Sequence, residues 1–150
     1  MKLLILSDTH RSLGFAYEAI EKESPDAVVH LGDHLDDEAI EKEAPDAVIH
    51  LGDHLGDAED LSFAYQDPDF YYVPGNCDYA PTVPQMLTLE FDGVRVFLTH
   101  GHLFGVKTGL TRLLLEGKRV GAQLVLFGHT HRPYLAEHDG VWLLNPGSCS

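Results

Sequence analysis

The chain has 150 residues, enough for one domain with a hydrophobic core, and 24 acidic against 10 basic residues give a formal charge of −14. That charge argues against a broad surface for nucleic-acid backbones, although bound divalent cations could still attract a small anionic substrate. Two cysteines, Cys77 and Cys149, cannot form a disulfide framework, and no apolar run is long enough for a signal or membrane segment. We therefore expect a single soluble, cytoplasmic domain over residues 1–150.

The first half of the chain alternates between strand-like and helix-like segments. In chain order, the pattern predicts a strand at 2–7, a helix at 12–23, a strand at 26–31, a helix at 57–66 and a strand at 70–73. Asp57 and Asp60 are suited to cap the second of these helices. Strands that alternate with helices, with polar groups at the strand ends, are typical of a parallel α/β unit.

Residues 18–37 and 38–57 are nearly identical and differ only at the pairs 24/44, 29/49 and 36/56. Solenoids need at least three repeats to bury a continuous core, so two copies indicate a local tandem duplication inside one α/β unit. Only one copy can occupy a given strand position. The displaced copy would be an insertion, an extra strand or a segment exchanged with a second molecule.

The second half of the chain contains two predicted hairpins on either side of a helix and a buried strand. Its predicted elements are strands at 87–91 and 94–99, a helix at 108–120 that ends at Gly121, and strands at 124–128, 134–138 and 141–144. Asp-Gly pairs at 92–93 and 139–140 favour tight turns between adjacent antiparallel strands.

Five strand ends carry side chains of the kind that bind metal ions. They are Asp8 with His10, Asp33 or Asp53, Asn76, His100 with His102, and His129 with His131. Ligands of α/β proteins gather beyond the carboxyl ends of strands, so these groups are expected to share one site. Carboxylates mixed with imidazoles suit Mn²⁺, Fe, Zn²⁺ or Ni²⁺. Because there are too many for one four-coordinate ion, we expect two metal ions about 3.5–4 Å apart.

In the order D-x-H, G-D, G-N-x-D, H-G-H and G-H-x-H, these motifs resemble the calcineurin-like metallophosphoesterases, most of all the small YfcE-type phosphodiesterases of bacteria and archaea. The fold that this implies is an α/β sandwich of two facing sheets flanked by helices. The implied ligands are Asp8, His10 and His131 for one metal ion, Asn76, His100 and His129 for the other, and Asp33 or Asp53 as the bridge.

The resemblance also implies an activity, the hydrolysis of phosphodiesters with two divalent ions, of which Mn²⁺ is the first expectation and Ni²⁺, Fe²⁺ or Zn²⁺ are alternatives. A water shared by two such ions loses a proton near neutral pH and attacks phosphorus as a bridging hydroxide. The candidate catalytic residues are Asp8, His10, Asn76 and His102, the last assisting at the phosphate. Many relatives carry His where this chain has Cys77, a poorer acid, which favours diesters over difficult monoesters.

The alternative is a non-catalytic scaffold on the same fold, similar to the retromer subunit that keeps this architecture as an interaction module, or an inactive engineered variant. Relatives usually continue past the Asn-Pro-Gly-Ser at 145–148 into further strands, so we expect an uncovered sheet edge that invites pairing with another chain. The expected partner is a small phosphodiester and no membrane, with a homo-oligomer or segment exchange as an open alternative.

Overall fold

The computed structural model describes residues 3–7, 27–29, 45–65 and 69–148. The strands are β1 (Leu3–Leu6), β2 (Ala27–Val29), β3 (Ala47–His50), β4 (Asp69–Tyr72), β5 (Met86–Phe91), β6 (Val94–Thr99), β7 (Leu124–Phe127), β8 (Tyr134–His138) and β9 (Val141–Asn145). The described helices are α1 (Leu55–Ala64), a 3₁₀ turn (His102–Phe104) and α2 (Thr111–Arg119). The helix predicted at 12–23 lies outside the described residues.

The first sheet has the order β2-β1-β3-β4, and all its strands are parallel. Every residue of β3 is buried, as expected for a continuous apolar strand that is covered on both faces. The strands of the two repeated segments lie on opposite sides of β1, where Leu3 is level with Ala27 on one side and Ala47 on the other. The second copy thus lies between β1 and β4, and the first copy supplies an extra strand at the edge.

The second sheet has the order β5-β6-β7-β9-β8 and mixes parallel and antiparallel pairs. Its two hairpins turn at the predicted Asp-Gly pairs. The backbone φ is 49° at Asp92 and 80° at Gly93, and 52° at Asp139 and 82° at Gly140. Two successive residues with positive φ define the turn whose twist matches that of the flanking strands, so both hairpin predictions are confirmed.

The core has two layers, because side chains alternate between the faces of the second sheet. In β6, Val96 and Leu98 point toward the first sheet and pack with residues such as Ile5 and Ile49. Phe97 points the other way, into a cluster that includes Leu113 of α2. Two sheets therefore face each other, with α2 on the outer face of one, and the predicted α/β sandwich is confirmed.

The helix boundaries differ from those predicted. Helix α1 begins at Leu55, two residues early, because the carboxylate of Asp78 accepts the N–H groups of His54 and Leu55; the predicted caps Asp57 and Asp60 fall inside the helix. Helix α2 begins at Thr111 instead of residue 108, because Thr108 closes a separate turn on the carbonyl of Gly105. Neither helix in the described part of the chain is long and apolar enough to cross a membrane.

Candidate functional site

The ends of β3, β4, β6 and β7 bring four of the predicted site residues to one point around the imidazole of His100. His100 Nε2 lies 3.1 Å from Asn76 Oδ1, 3.1 Å from His129 Nδ1 and 3.7 Å from Asp53 Oδ2. The side chains of His100 and Asp53 are almost entirely buried, with 0% and 5% of their surface exposed. All four of these strands run parallel to a neighbour, β3 to β4 and β6 to β7, so the carboxyl ends within each pair lie at the same edge of its sheet.

The hydrogen bonding of His100 leaves a lone pair aimed at this cluster. Its Nδ1 lies 2.8 Å from the Leu51 carbonyl, which can only accept, so Nδ1 carries the proton. In a neutral ring Nε2 is then unprotonated, and it faces the lone pairs of Asn76 Oδ1 at 3.1 Å. Two facing lone pairs need a positive charge between them, either a proton or a metal ion. An amide oxygen with imidazole nitrogens and a nearby carboxylate is a donor set that suits a divalent ion.

His102 lies beside this cluster with an unused ring nitrogen. Its ring centroid is 5.3 Å from that of His100 and 6.1 Å from that of His129. No described residue hydrogen-bonds its buried Nδ1. Burial lowers the pKa of His102 below its ordinary value of 6.5, and His100 lowers it further, while Asp53 acts in the opposite direction. The ring is therefore neutral near pH 7, with one nitrogen able to donate and the other to accept.

The loops that present these side chains have unusual backbone conformations. Gly52, Asp53 and His54 follow one another with φ of 100°, 60° and 73°, and His129 and His131 have φ of 67° and 58°. The left-handed region costs a residue with a Cβ about 1–2 kcal/mol, so it persists only where surrounding contacts enforce it.

Asp78 stabilises the left-handed backbone of the first of these loops, residues 52–54. Its carboxylate accepts four backbone N–H bonds, from Asp53 at 2.8 Å, His54 at 2.9 Å, Leu55 at 3.0 Å and Gly75 at 2.9 Å. Burial alone would raise the pKa of Asp78, but these N–H groups outweigh it and hold the pKa below the ordinary 3.8. Asp78 is the last residue of the G-N-x-D motif, but the motif alone does not predict this role.

Asn145 holds the second loop in place, a role that was not predicted from the sequence. Its buried side-chain amide donates to the Gly128 carbonyl at 2.9 Å and to Thr130 Oγ1 at 3.0 Å, and its Oδ1 accepts the N–H of Gly147 at 2.8 Å. These bonds fix the segment that carries His129. The signal in the sequence was the Asn-Pro-Gly-Ser stretch, whose asparagine is the last residue of β9 and is buried.

The structure thus brings together five predicted residues: Asp53, Asn76, His100, His102 and His129. His131 follows two residues after His129 and is exposed. Asp8, His10 and Asp33 lie outside the described residues. Within the ranges that are described, no three His, Cys, Asp or Glu side chains form a metal site by themselves. The described cluster therefore has the side-chain amide of Asn76 among its donor groups. The predicted ligands Asp8, His10 and Asp33 belong to segments outside the described residues.

Comparison with known proteins identifies the family of this chain and several relatives. The sequence profile of the calcineurin-like phosphoesterase superfamily domain matches residues 34–150. A probable metallophosphoesterase of Bacillus subtilis, YsnB, is 36% identical over 76 residues, which are 51% of this chain and 45% of that protein. A phosphodiesterase of Methanocaldococcus jannaschii is 28% identical over 158 residues, covering 99% of this chain and 84% of that protein. The chain therefore spans less than half the length of YsnB and most of the archaeal phosphodiesterase.

Solved structures agree on the fold. A predicted phosphoesterase from Streptococcus pneumoniae superposes with a TM-score of 0.64 at 26% identity, covering 99% of this chain and 72% of that one. Vps29 of Entamoeba histolytica in complex with Zn²⁺ gives a TM-score of 0.65 at 18% identity, covering 97% and 73% of the two chains. The second likeness is one of fold alone.

Proposed function

Because the chain belongs to the calcineurin-like phosphoesterase superfamily, we propose that it is a metal-dependent phosphodiesterase that hydrolyses small phosphodiesters. The observation that carries this proposal is the buried His100, whose Nε2 faces Asn76 Oδ1 at 3.1 Å. The His100 ring is fully buried, so an unprotonated Nε2 that faces a second acceptor is costly without a cation, and Asp53 stands 3.7 Å away to balance the charge of that cation. The archaeal relative that matches nearly the whole chain is named a phosphodiesterase, which supports the same reaction class.

In this proposal the described cluster holds one divalent ion. Asn76, His100 and His129 would be its ligands, and Asp53 would bridge to a second ion that Asp8, His10 and His131 would hold, in keeping with the resemblance of the motifs. Mn²⁺ is the first ion that we expect, and the combination of hard oxygen donors with imidazoles also suits Fe²⁺, Zn²⁺ or Ni²⁺. Bound divalent ions supply a water of low pKa and neutralise charge on the phosphoryl oxygens.

The roles of the chain's own residues follow from their positions. A neutral His102 can donate an N–H bond to a non-bridging phosphate oxygen and hold the substrate beside Asn76 and Asp53. Hydrolysis forms a bond between the water oxygen and phosphorus and breaks the ester bond, whose oxygen leaves and takes up a proton. The exposed Cys77 follows Asn76 in the chain, and its Sγ accepts a hydrogen bond from Asn76 Nδ2 at 3.3 Å. A thiol is a weak acid, so we propose diesters with good leaving groups as substrates.

The test is the hydrolysis of bis(4-nitrophenyl) phosphate with added Mn²⁺, with and without a chelator. We expect turnover that the chelator abolishes and that added Mn²⁺ restores. Calorimetric titration should show Mn²⁺ binding to the wild type and its loss in His100→Ala, a readout that does not depend on turnover. The matched control for Mn²⁺ binding is His138→Ala, since His138 lies at the end of β8, next to the turn at Asp139 and Gly140.

A folded protein that neither binds Mn²⁺ nor hydrolyses the diester would contradict the proposal. Folding would be checked by circular dichroism and by a cooperative thermal transition. That outcome would favour the non-catalytic scaffold, for which the shared fold of Vps29 is the supporting observation.

A further inference from the structure

A cavity of about 470 Å³ opens between the segment that precedes α2 and the loop after β7. Its walls combine apolar side chains, among them Val106, Leu110 and Tyr134, with two cations, Lys107 and Arg132. This size and this mixture of a mainly apolar wall with a few polar groups are typical of sites that bind small organic molecules.

The cavity shares its walls with the loops that carry the histidines. Thr130, which lines it, stands between His129 and His131, and Arg132 is the next residue along the chain. On the opposite wall Val106 packs on Gly101, where a Cβ would lie 2.9 Å from Val106 Cγ2. Gly101 separates His100 from His102. The cavity and the histidine cluster are therefore built from the same two segments of the chain.

The cavity is also lined by basic side chains that lack acidic partners in the described part of the chain. Six Lys and Arg side chains are described, and three of them form ion pairs, Arg95 with Glu90, Lys118 with Asp139 and Arg119 with Glu116. The other three, Lys107, Arg112 and Arg132, have no acidic partner among the described residues. In a chain with a net charge of −14, two of these three cations line one cavity. Cations without acidic partners in a cavity favour the binding of an anionic ligand there.

We propose that this cavity binds one ester group of the phosphodiester substrate, and that this group contains a planar ring and carries a second phosphate. The ring would pack on Val106, Leu110 and Tyr134, whose hydroxyl lies 2.6 Å from His138 Nε2 and so holds its ring in place. Arg132 and Lys107 bind the second phosphate, Arg132 with its planar fork of donors. The proposal rests on the proposed function, since it names the substrate class of the same site.

The experiment compares two substrates that differ only in the second phosphate. They are thymidine 5′-(4-nitrophenyl phosphate) and the same compound with a 3′-phosphate, both of which release 4-nitrophenolate. We expect the wild type to prefer the 3′-phosphorylated compound in kcat/KM. Arg132→Gln and Lys107→Gln should each lower that preference roughly tenfold, the smaller end of what a charge-assisted hydrogen bond contributes. Arg112→Gln is the matched control, an unpaired cation outside the cavity, and should keep the preference.

A wild type without preference for the second phosphate would overturn the proposal, and so would a preference that survives in both cavity variants. Calorimetric binding of thymidine 3′,5′-bisphosphate in the presence of Mn²⁺ separates this result from failure of the proposed function. If no diester is hydrolysed but the bisphosphate binds, and Arg132→Gln weakens that binding, the cavity assignment stands while the phosphodiesterase proposal falls. If the bisphosphate does not bind, the cavity assignment falls irrespective of turnover.

Discussion

Asp78 Oδ2 accepts the backbone N–H of Asp53 at 2.8 Å, across 25 residues of sequence. The same carboxylate holds His54, Leu55 and Gly75, so a single side chain fixes the left-handed turn after β3 and the start of α1. The position of the Asp53 carboxylate next to His100 depends on this arrangement.

Replacing Asp78 with Asn should therefore reduce stability. The amide keeps one acceptor oxygen, but its NH₂ group would face backbone N–H groups that have lost their partner. We expect a loss of about 2 kcal/mol in the free energy of unfolding, measured by urea denaturation. Asp60→Asn is the control, because Asp60 is exposed on α1 and was predicted from the sequence to cap this helix. That variant should stay within about 0.5 kcal/mol of the wild type, and an equal loss in both would contradict the role of Asp78.

The depressed pKa of Asp78 predicts how stability changes in acid. Burial opposes the shift, but the four N–H bonds lower the folded-state pKa below the ordinary 3.8. Such a group stabilises the fold fully above its unfolded pKa, and the contribution is lost as the pH falls through the folded pKa. The difference in unfolding free energy between the wild type and Asp78→Asn should thus be constant near neutral pH and shrink on acidification below about 3.8. A difference that grows in acid would have the wrong sign.

Replacing the equivalent aspartates of the two repeated segments, Asp33 and Asp53, should change the hydrolytic activity to different extents. Asp53 lies 3.7 Å from His100 and accepts the N–H of Cys77 at 3.0 Å, so its place in the cluster is fixed. We expect Asp53→Ala to abolish Mn²⁺-dependent hydrolysis and Asp33→Ala to leave it close to the wild type. Steady-state kinetics on the chromogenic diester would measure both. Equal partial losses would mean that the two copies exchange places.

Gly75 should tolerate no side chain, because the Asp53 carboxylate occupies the space. A Cβ there would overlap Asp53 Oδ1 and lie 2.5 Å from the Asp53 nitrogen. Gly75→Ala should displace Asp53, weaken Mn²⁺ binding and cost about 1–3 kcal/mol of stability. Gly56→Ala is its control, since nothing lies within 4 Å of a Cβ at that position in α1. It should be neutral or more stable by about 0.5 kcal/mol, as thermal unfolding would show.

The sequence predicted most of the fold because its signals are local. The hairpin turns at Asp92 and Asp139 and the strands beside them follow from alternation and turn chemistry within about ten residues. The meeting of Asp53, Asn76, His100 and His129 followed from the shared edge of parallel strands, and the structure does bring them together. Their role as metal ligands remains a prediction.

The features that the sequence did not predict depend on contacts between distant segments. Helix α1 starts early because Asp78 caps it from 23 residues away. Asn145 ties down the loop of His129 from 15 to 17 residues away. Neither pairing has a local pattern, because a carboxylate or amide that serves distant backbone groups looks like any other polar loop residue. The choice between the repeated segments was open for the same reason, since their strands differ only at Val29 and Ile49.

That near-identity has a consequence for how the chain folds. Strand β1 pairs with both copies in one register, Ile5 opposite Val29 on one side and Ile49 on the other. As far as β1 is concerned, the two segments can trade places at almost no difference in energy. Pairing with β1 therefore discriminates little between the two segments. Discrimination comes from helix α1, which begins at the end of the second copy and continues beyond it, and from the hydrogen bonds of Asp78, which lies further along the chain.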